Sequence, residues 1–253
     1  MKKSILFTLS ILFCISLNSQ RNSSAEYWIS YTYNPKKGMT EEFEKAVADK
    51  TKKFNSTEEN AFFTFQTLTG NQQGAYQRWQ VRKSVGYFDE DRKKEGKYWN
   101  DNVDPMIAEK SGQIIWMRIK GASYGWDEVG TPSKYYNQEI VTIKRGKNQD
   151  FLKPQRRIKQ LFEDTEASWN RAIFKLVSGG NAQQYMIIGG FDNHDRSSNS
   201  SSKPEDISWA DLYNEKFGED SWADDWSASN EAIEAWGATS RKLEFRPELS
   251  SQL

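Results

Sequence analysis

The residues best suited to hold a ligand are tryptophans and arginines that fall within predicted strands and helices. The candidate ligand-binding residues are Trp28, Trp79, Trp99, Trp116, Trp226, Arg78 and Arg118. Indole rings make large apolar contacts with a flat molecule, and a guanidinium on a strand can orient an anionic group. Tryptophans also fill protein cores. Trp99 and Trp226 occupy matching places in the two halves, and this repetition favours a core-packing role for both, because each half needs the same large side chain there. Two interpretations stay open: a pocket for a small apolar or aromatic molecule, and plain core packing.

His194 is the only histidine in the sequence, and it lies between Asp192 and Asp195. One imidazole with two nearby carboxylates could bind a metal ion or transfer a proton. The segment around it is polar and has no counterpart in the first half, which favours a solvated surface residue. We therefore expect no metal site and no cofactor, and the sequence assigns no catalytic residue.

The charge balance argues against a nucleic-acid partner. The sequence has 35 Lys and Arg against 35 Asp and Glu, with no cluster of basic residues that stands out. Surfaces that bind nucleic acid need such a cluster. The only cysteine, Cys14, lies near the N-terminus, so the rest of the chain has no thiol for a disulfide or a metal.

The N-terminal residues have the pattern of an export signal. Lys2 and Lys3 precede an apolar run from Ile5 to Leu17, and small or polar residues follow. This run is too short to span a bilayer comfortably. We expect residues 1–19 to be a cleaved signal peptide, the mature protein to be periplasmic or extracellular, and no membrane contact after cleavage.

The two halves of the chain show an internal repeat. Residues 37–43 match residues 145–151. Both segments have the order basic residue, Gly, variable residue, helix-capping residue, variable residue, acidic residue and Phe. Residues 61–65 then match 172–176, and a Gly-Asn turn ahead of a tyrosine follows in both halves. Agreement in order and spacing at this many positions indicates a duplicated unit.

The order of predicted elements is also the same in both halves. The first half has strands at 27–33, 61–69, 76–82 and 114–119. Its helices are one with Thr40 as its N-cap that runs to Phe54, and one at 89–110 with a break at Pro105. The second half has strands at 136–144, 172–178, 185–191 and 241–246, with helices at 149–168 and 209–236. The order β-α-β-β-α-β is the ferredoxin-like plan. The predicted domains are a unit at 20–120, a linker at 121–134, and a unit at 135–253 with a mobile Ser-rich insertion near 192–206.

The duplication, the element order and the aromatic strands resemble the dimeric α/β-barrel superfamily in a tandem, fused form, similar to antibiotic-biosynthesis monooxygenase-type domains. The resemblance implies an α+β fold in which two βαββαβ sheets pack together as a pseudo-dimeric barrel. It implies a ligand pocket between the sheet and the helices of each unit. Members include cofactor-free oxygenases, haem-handling enzymes, isomerases and plain binding domains, so fold likeness alone selects no reaction.

Three functions remain open at this stage. We expect first an exported, non-catalytic binding module, because no histidine, cysteine or carboxylate cluster marks a core site. Its two halves would pair with each other inside one chain, so we expect the protein to be a monomer. The alternative is a cofactor-independent oxygenase or isomerase that acts on a small aromatic or apolar molecule. This alternative predicts that one half keeps a polar-lined cavity. A third possibility is an interaction protein of the cell envelope, which predicts a large exposed patch of Trp and Tyr.

Overall fold

The computed structural model describes residues 25–127 and 130–253, so the predicted signal peptide lies outside the described residues. The strands are β1 (Tyr27–Pro35), β2 (Phe62–Thr67), β3 (Tyr76–Lys83), β4 (Ile107–Lys110), β5 (Ile114–Arg118), β6 (Tyr135–Ile143), β7 (Asn170–Ser178), β8 (Gln184–Phe191) and β9 (Ile233–Phe245). The helices are α1 (Thr40–Phe54), α2 (Lys93–Asn102), α3 (Asn148–Asp164), α4 (Trp209–Phe217) and α5 (Ser221–Ala232). No helix in these two ranges is long and apolar enough to cross a membrane.

Eight of the strands form a closed antiparallel barrel in the order β3-β2-β9-β6-β8-β7-β5-β1, which returns to β3. The short β4 is an additional edge strand that pairs with β1. Two seams join the halves: β2 pairs with β9 through Phe65–Phe245 and Thr67–Leu243, and β5 pairs with β7. The halves are thus joined edge to edge by hydrogen bonds as well as through their sheet faces. Closure of this kind removes the unpaired strand edges of an open sheet.

Within each half the strands follow the same spatial order. The first half has β5-β1-β3-β2, and the second half has β9-β6-β8-β7. The outer face of each sheet packs on helices of its own half: Phe43 and Val47 of α1 lie in one apolar cluster with Tyr76, and Phe151 of α3 lies in another with Tyr185. Helices therefore cover the outside of the barrel, as expected of an amphipathic stripe facing a sheet.

The inside of the barrel is an aromatic core, because alternate residues of each strand point to opposite faces. Inward-facing side chains are mostly large and apolar, among them Trp28, Trp79, Trp116, Phe174 and Leu243. The Trp28 ring lies 6.4 Å from Trp79 and 4.9 Å from Phe174, between centroids. Tryptophans on three different strands therefore meet at the centre of the molecule.

The structure differs from the sequence predictions mainly at helix ends. The predicted helix at 209–236 is broken at Gly218 and Asp220, whose φ angles are +113° and +57°. It then ends at Ala232, and β9 is 13 residues long where six were predicted, because pairing with β6 and β2 extends it. The predicted helix at 89–110 ends at Asn102. Thr40 is not an N-cap: Met39 holds that place and no side chain caps the helix.

The segments predicted as linker and mobile insertion make specific contacts in the structure. Tyr124 forms a backbone bridge with Arg171, which places the start of the linker beside β7. The Ser-rich segment is tied to the end of α3, since Ser202 N donates to Thr165 O at 2.7 Å and Ser200 N donates to Ser168 Oγ at 2.7 Å. These hydrogen bonds fix a segment whose composition alone predicts mobility.

The β5–β7 seam gives a test of barrel closure. Gly179 follows β7 with φ +93°, and a Cβ there would meet the Gln113 carbonyl and lie 3.0 Å from Ile114 Cα. Gly146 has φ +84° with nothing near its Cβ position. We expect Gly146→Ala to cost about 1 kcal/mol of unfolding free energy from backbone strain alone. Gly179→Ala should cost about 2–4 kcal/mol because it adds a clash across the seam.

Urea unfolding followed by circular dichroism measures both values. Equal losses in the two variants would contradict a tightly closed seam at this position.

Candidate functional site

Two cavities lie at different places in the fold. The first, the first-half cavity, has a volume of about 400 Å³ and lies between the outer face of the first-half sheet and α2. The second, the barrel cavity, has a volume of about 960 Å³ and occupies one end of the barrel interior. The family resemblance implied a ligand pocket between sheet and helices, and the first-half cavity lies at that position.

Arg78 is the most unusual residue of the first-half cavity, because its side chain is only 1% exposed. It lies on β3 between Tyr76 and Gln80, whose side chains share its outward face, so strand alternation places it against the helices. Its Nη2 donates to Thr51 Oγ1 at 2.6 Å and its Nε donates to Thr64 Oγ1 at 3.3 Å. Both hydroxyls donate in turn to backbone carbonyls.

The charge of Arg78 has no carboxylate partner. In residues 25–127 and 130–253, its hydrogen-bond partners are hydroxyls and it takes part in no ion pair. Burial lowers the pKa of Arg78 to about 10, so the guanidinium stays positive at neutral pH. Burying a charge that makes no direct ion pair is costly, and the nearby Glu95 carboxylate offsets part of that cost because it favours the charged form of Arg78.

Lys50 and Glu95 add a titratable pair to the same cavity. Lys50, on α1, is 2% exposed; it forms an ion pair with Glu95 and donates to Asn55 Oδ1 at 2.8 Å. Burial, and after it the nearby Arg78 charge, lower the pKa of Lys50 to about 7 even though Glu95 opposes the shift. Burial works to raise the pKa of Glu95, but Lys50 and Arg92 outweigh it and hold that pKa below its usual value. Lys50 is thus poised to gain or lose a proton near neutral pH.

Aromatic rings form the walls around these charges. The Phe62 centroid lies 4.2 Å from Lys50 Nζ and 4.6 Å from Arg78 Cζ. Trp99 lies 5.3 Å from Arg78 Cζ, and its ring packs 4.8 Å from Tyr33. Burial raises the pKa of Tyr33, so its hydroxyl stays neutral. The cavity combines two adjacent cationic groups with flat apolar walls, which suits a small aromatic molecule that carries or develops negative charge.

The second half is filled where the first half is open. In the predicted alignment of the halves, Lys50 corresponds to Ile158 and Arg78 corresponds to Ile187. An apolar cluster that includes Val141, Ile143 and Phe151 occupies the space between sheet and helix there. The enzyme alternative predicted a polar-lined cavity in one half, and the first-half cavity has that character.

The structure separates the other sequence-predicted candidates. Trp28 and Trp79 line the barrel cavity. Trp116 lies in the barrel core and donates to Ser30 Oγ at 3.2 Å. Trp226 packs in an apolar cluster of the second-half helices, with its ring 5.7 Å from Trp222. Of the seven candidate residues predicted from the sequence, Arg78 and Trp99 are the two that line the first-half cavity.

Arg118 and His194 have other surroundings. Arg118 Nη2 pairs with Glu26 Oε2 at 2.9 Å and with Asp127 Oδ1 at 2.8 Å, so its charge is neutralised within the protein. His194 is exposed after β8, where its ring stacks 4.6 Å from Tyr135. In the two described ranges, no group of three or more His, Cys, Asp or Glu could hold a metal ion.

Sequence reasoning missed Lys50 and Glu95. Lys50 lies on the α1 face that carries Phe43, Val47 and Phe54, and a lysine within an apolar stripe is a signal that could have identified it. Glu95 had no such signal, because its role depends on where α2 packs against α1.

The fold is shared with known structures. No protein-family model matches the sequence, and no curated protein matches it. A "putative monooxygenase" from Lactobacillus acidophilus NCFM superposes with a TM-score of 0.56 at 8% identity, covering 90% of this chain and 97% of that one. A "putative monooxygenase" from Fusobacterium nucleatum subsp. nucleatum superposes with a TM-score of 0.51 at 12% identity, covering 87% and 92%. The chain therefore shares its closed-barrel fold with these two structures.

These matches contradict the expectation of a non-catalytic binding module. The structures that share the barrel along nearly its whole length are described as monooxygenases, so the findings favour the enzyme alternative over the binding module. The first expectation rested on the lack of a histidine, cysteine or carboxylate cluster in the sequence. It took no account of Lys50 and Arg78, which are distant in the sequence and come together only in the fold.

The pKa of Lys50 can be measured directly. In protein with ¹³C-labelled lysine, the Lys50 Cε resonance should titrate near pH 7, because burial and the Arg78 charge disfavour the ammonium form. The amine is charged below that pH and neutral above it. Loss of the signal in Lys50→Met assigns it, and a Lys50 midpoint above pH 9 would contradict this picture.

The cost of the uncompensated Arg78 charge can be measured as stability. We expect Arg78→Met to leave the free energy of unfolding unchanged or to raise it by about 1 kcal/mol, because it removes a buried charge that lacks an acidic partner. Arg118→Met is the matched control on another strand; it should cost about 3 kcal/mol because Glu26 loses its partner. A larger loss in Arg78→Met than in Arg118→Met would show that the Arg78 charge stabilises the fold.

Proposed function

We propose that this protein is an enzyme, a cofactor-independent oxygenase or isomerase that acts on a small aromatic or apolar molecule in the first-half cavity. The observation that carries the proposal is the buried Arg78 guanidinium, which makes no ion pair in the described part of the chain and lines a cavity with aromatic walls. Positive charge fixed in a site of low dielectric stabilises an anion that forms during reaction far better than water does.

The shared first step would be the removal of a proton from carbon next to a carbonyl group. The neutral Lys50 amine accepts the proton and becomes an ammonium ion, which Glu95 and Asn55 stabilise. The electron pair left on the substrate delocalises onto the carbonyl oxygen beside Arg78. Phe62 and Trp99 hold the aromatic part of the substrate and exclude water, which strengthens both electrostatic contacts.

The enolate can then follow one of two routes. In an isomerase, the Lys50 ammonium returns the proton to a different carbon, so no atom is gained or lost. In an oxygenase, the enolate carbon is oxidised by dioxygen to a hydroperoxide, and loss of water leaves a carbonyl. The net change is CH₂ + O₂ → C=O + H₂O, in which dioxygen is the only co-reactant.

The structural relatives support the oxygenase route, because two of them with the same barrel are described as monooxygenases. We further propose that the two halves are tandem ferredoxin-like units of a fused barrel, which agrees with their common strand order. On this basis the protein would act as a monomer, and its predicted signal would place it in the periplasm or outside the cell. The large exposed apolar residues among those described include one Trp and no Tyr, which does not favour a cell-envelope interaction protein.

Hydrogen–deuterium exchange tests the shared step whichever of the two routes follows it. Phenylacetone and deoxybenzoin each carry CH₂ between an aromatic ring and a carbonyl group. The protein should accelerate loss of their CH₂ proton signal in D₂O, with a rate that rises between pH 6 and pH 8 as Lys50 becomes neutral. Oxygen uptake measured with an electrode in the same samples distinguishes the oxygenase from the isomerase.

Variants connect this activity to the cavity. Arg78→Met should lower the exchange rate by about 10²–10³-fold, and Lys50→Met by about 10²–10⁴-fold. Arg171→Met is the matched control, since Arg171 is a second arginine whose pKa burial lowers to about 10, but it lies on β7 away from the first-half cavity. An exchange rate no faster than buffer with both ketones, or full activity in Arg78→Met, would contradict the proposal.

A further inference from the structure

The barrel cavity differs from the first-half cavity in its position and in the residues that line it. Its walls are inward-facing side chains of the barrel strands, among them Trp28, Phe63, Trp79 and Met186. Trp126 closes on it from the segment between β5 and β6, with its ring 5.2 Å from Trp28. A volume of about 960 Å³ with such walls is large enough for a molecule of several fused rings.

One buried cation lines this cavity. Lys83, the last residue of β3, is 5% exposed. Its Nζ donates to the backbone carbonyl of Glu59, and in residues 25–127 and 130–253 it takes part in no ion pair. An ammonium group has three N–H donors, so this contact leaves donors for a further acceptor.

The backbone at the end of β3 places Lys83 at this position. Arg82 has φ +56°, and the pairing of β1 with β3 shifts register between Tyr27–Lys83 and Ile29–Gln80. A β-bulge of this kind redirects the side chains beyond it. A non-glycine residue in this region of φ is strained, and such strain is concentrated at functional sites.

The acidic residues at the rim do not cancel the Lys83 charge. Five acidic side chains line the cavity, and all are exposed: Glu58, Glu59, Glu90, Asp127 and Glu163. Asp127 and Glu163 are already paired with Arg118 and Lys159. Water and salt screen exposed carboxylates strongly, whereas a buried ammonium acts through a medium of low dielectric. A negatively charged group that enters the cavity therefore interacts most strongly with Lys83.

We propose that the barrel cavity is a second binding site, for an apolar ring compound that carries a carboxylate, with the ring among the tryptophans and the carboxylate on Lys83. The buried indole walls supply the contact area for the rings, and the ammonium supplies a charge-assisted hydrogen bond for the acid. This site is independent of the reaction proposed for the first-half cavity and does not require it.

Binding of anthracene carboxylate, measured by titration calorimetry with the full chain, tests the site. Wild-type protein should bind the carboxylate about 10- to 100-fold more tightly than the neutral anthracene carboxamide, which has the same rings. Lys83→Met should remove this preference, and Lys83→Arg should keep most of it. Arg171→Met is the control, because Arg171 on β7 lines neither cavity, and it should leave both affinities unchanged.

Methionine methyl signals locate the bound rings. Met186 lines the barrel cavity, whereas Met106 packs in the apolar cluster under α1. Ring currents from anthracene carboxylate should shift the ¹³C-methyl signal of Met186, assigned by Met186→Leu, and leave that of Met106 in place. The proposal is overturned if the carboxylate does not bind, if wild-type protein binds the carboxamide as tightly, or if Met186 does not shift. The wild-type comparison of the two ligands decides the outcome even where a Lys83 variant does not fold.

Discussion

The hydrogen bonds of the two seams, β2 with β9 and β5 with β7, are the constraint on which the other features depend. They join four strands of each half into one continuous ring and leave no long unpaired edge. Closure divides every strand into an inward and an outward face. The inward faces meet in an aromatic core, and the outward faces are left for helices to cover. Both cavities follow from this division, since one lies inside the ring and the other lies between the ring and its helices.

The two halves use the same arrangement of strands differently. Between sheet and helix, the second half is packed with aliphatic and aromatic side chains such as Val141, Ile143 and Phe151. The first half places Lys50, Arg78 and Glu95 at the corresponding level and keeps an open volume. The second half also buries one charge at this level, since Arg171 of β7 donates to Gln155 of α3, but its described residues include no lysine–glutamate pair there like Lys50 and Glu95.

Three buried cations show how environment, rather than residue type, sets chemical character. Arg78 has hydroxyl partners and remains charged, Lys50 has a carboxylate partner and titrates near neutral pH, and Lys83 has a backbone carbonyl partner. Arg118 is equally buried, but Glu26 and Asp127 neutralise it. Burial and the surrounding charges together therefore set what each cation can do, since Lys50 and Arg118 both have carboxylate partners but only the pKa of Lys50 is lowered.

The sequence by itself determined much about this protein, because its signals are local. Alternation and aromatic content located β1, β3, β7 and β8 to within two residues, and Arg78 and Trp99 were identified as candidate site residues before the fold was known. Helix ends were predicted less well, since the break at Gly218 and the start of β9 depend on pairing with strands far away in the chain. Only the tertiary structure decided that Arg78 lacks a carboxylate, that Glu95 reaches Lys50, and that Lys83 faces a cavity inside the barrel. These properties depend on burial and on contacts between residues distant in sequence, and no local pattern of residue types encodes either.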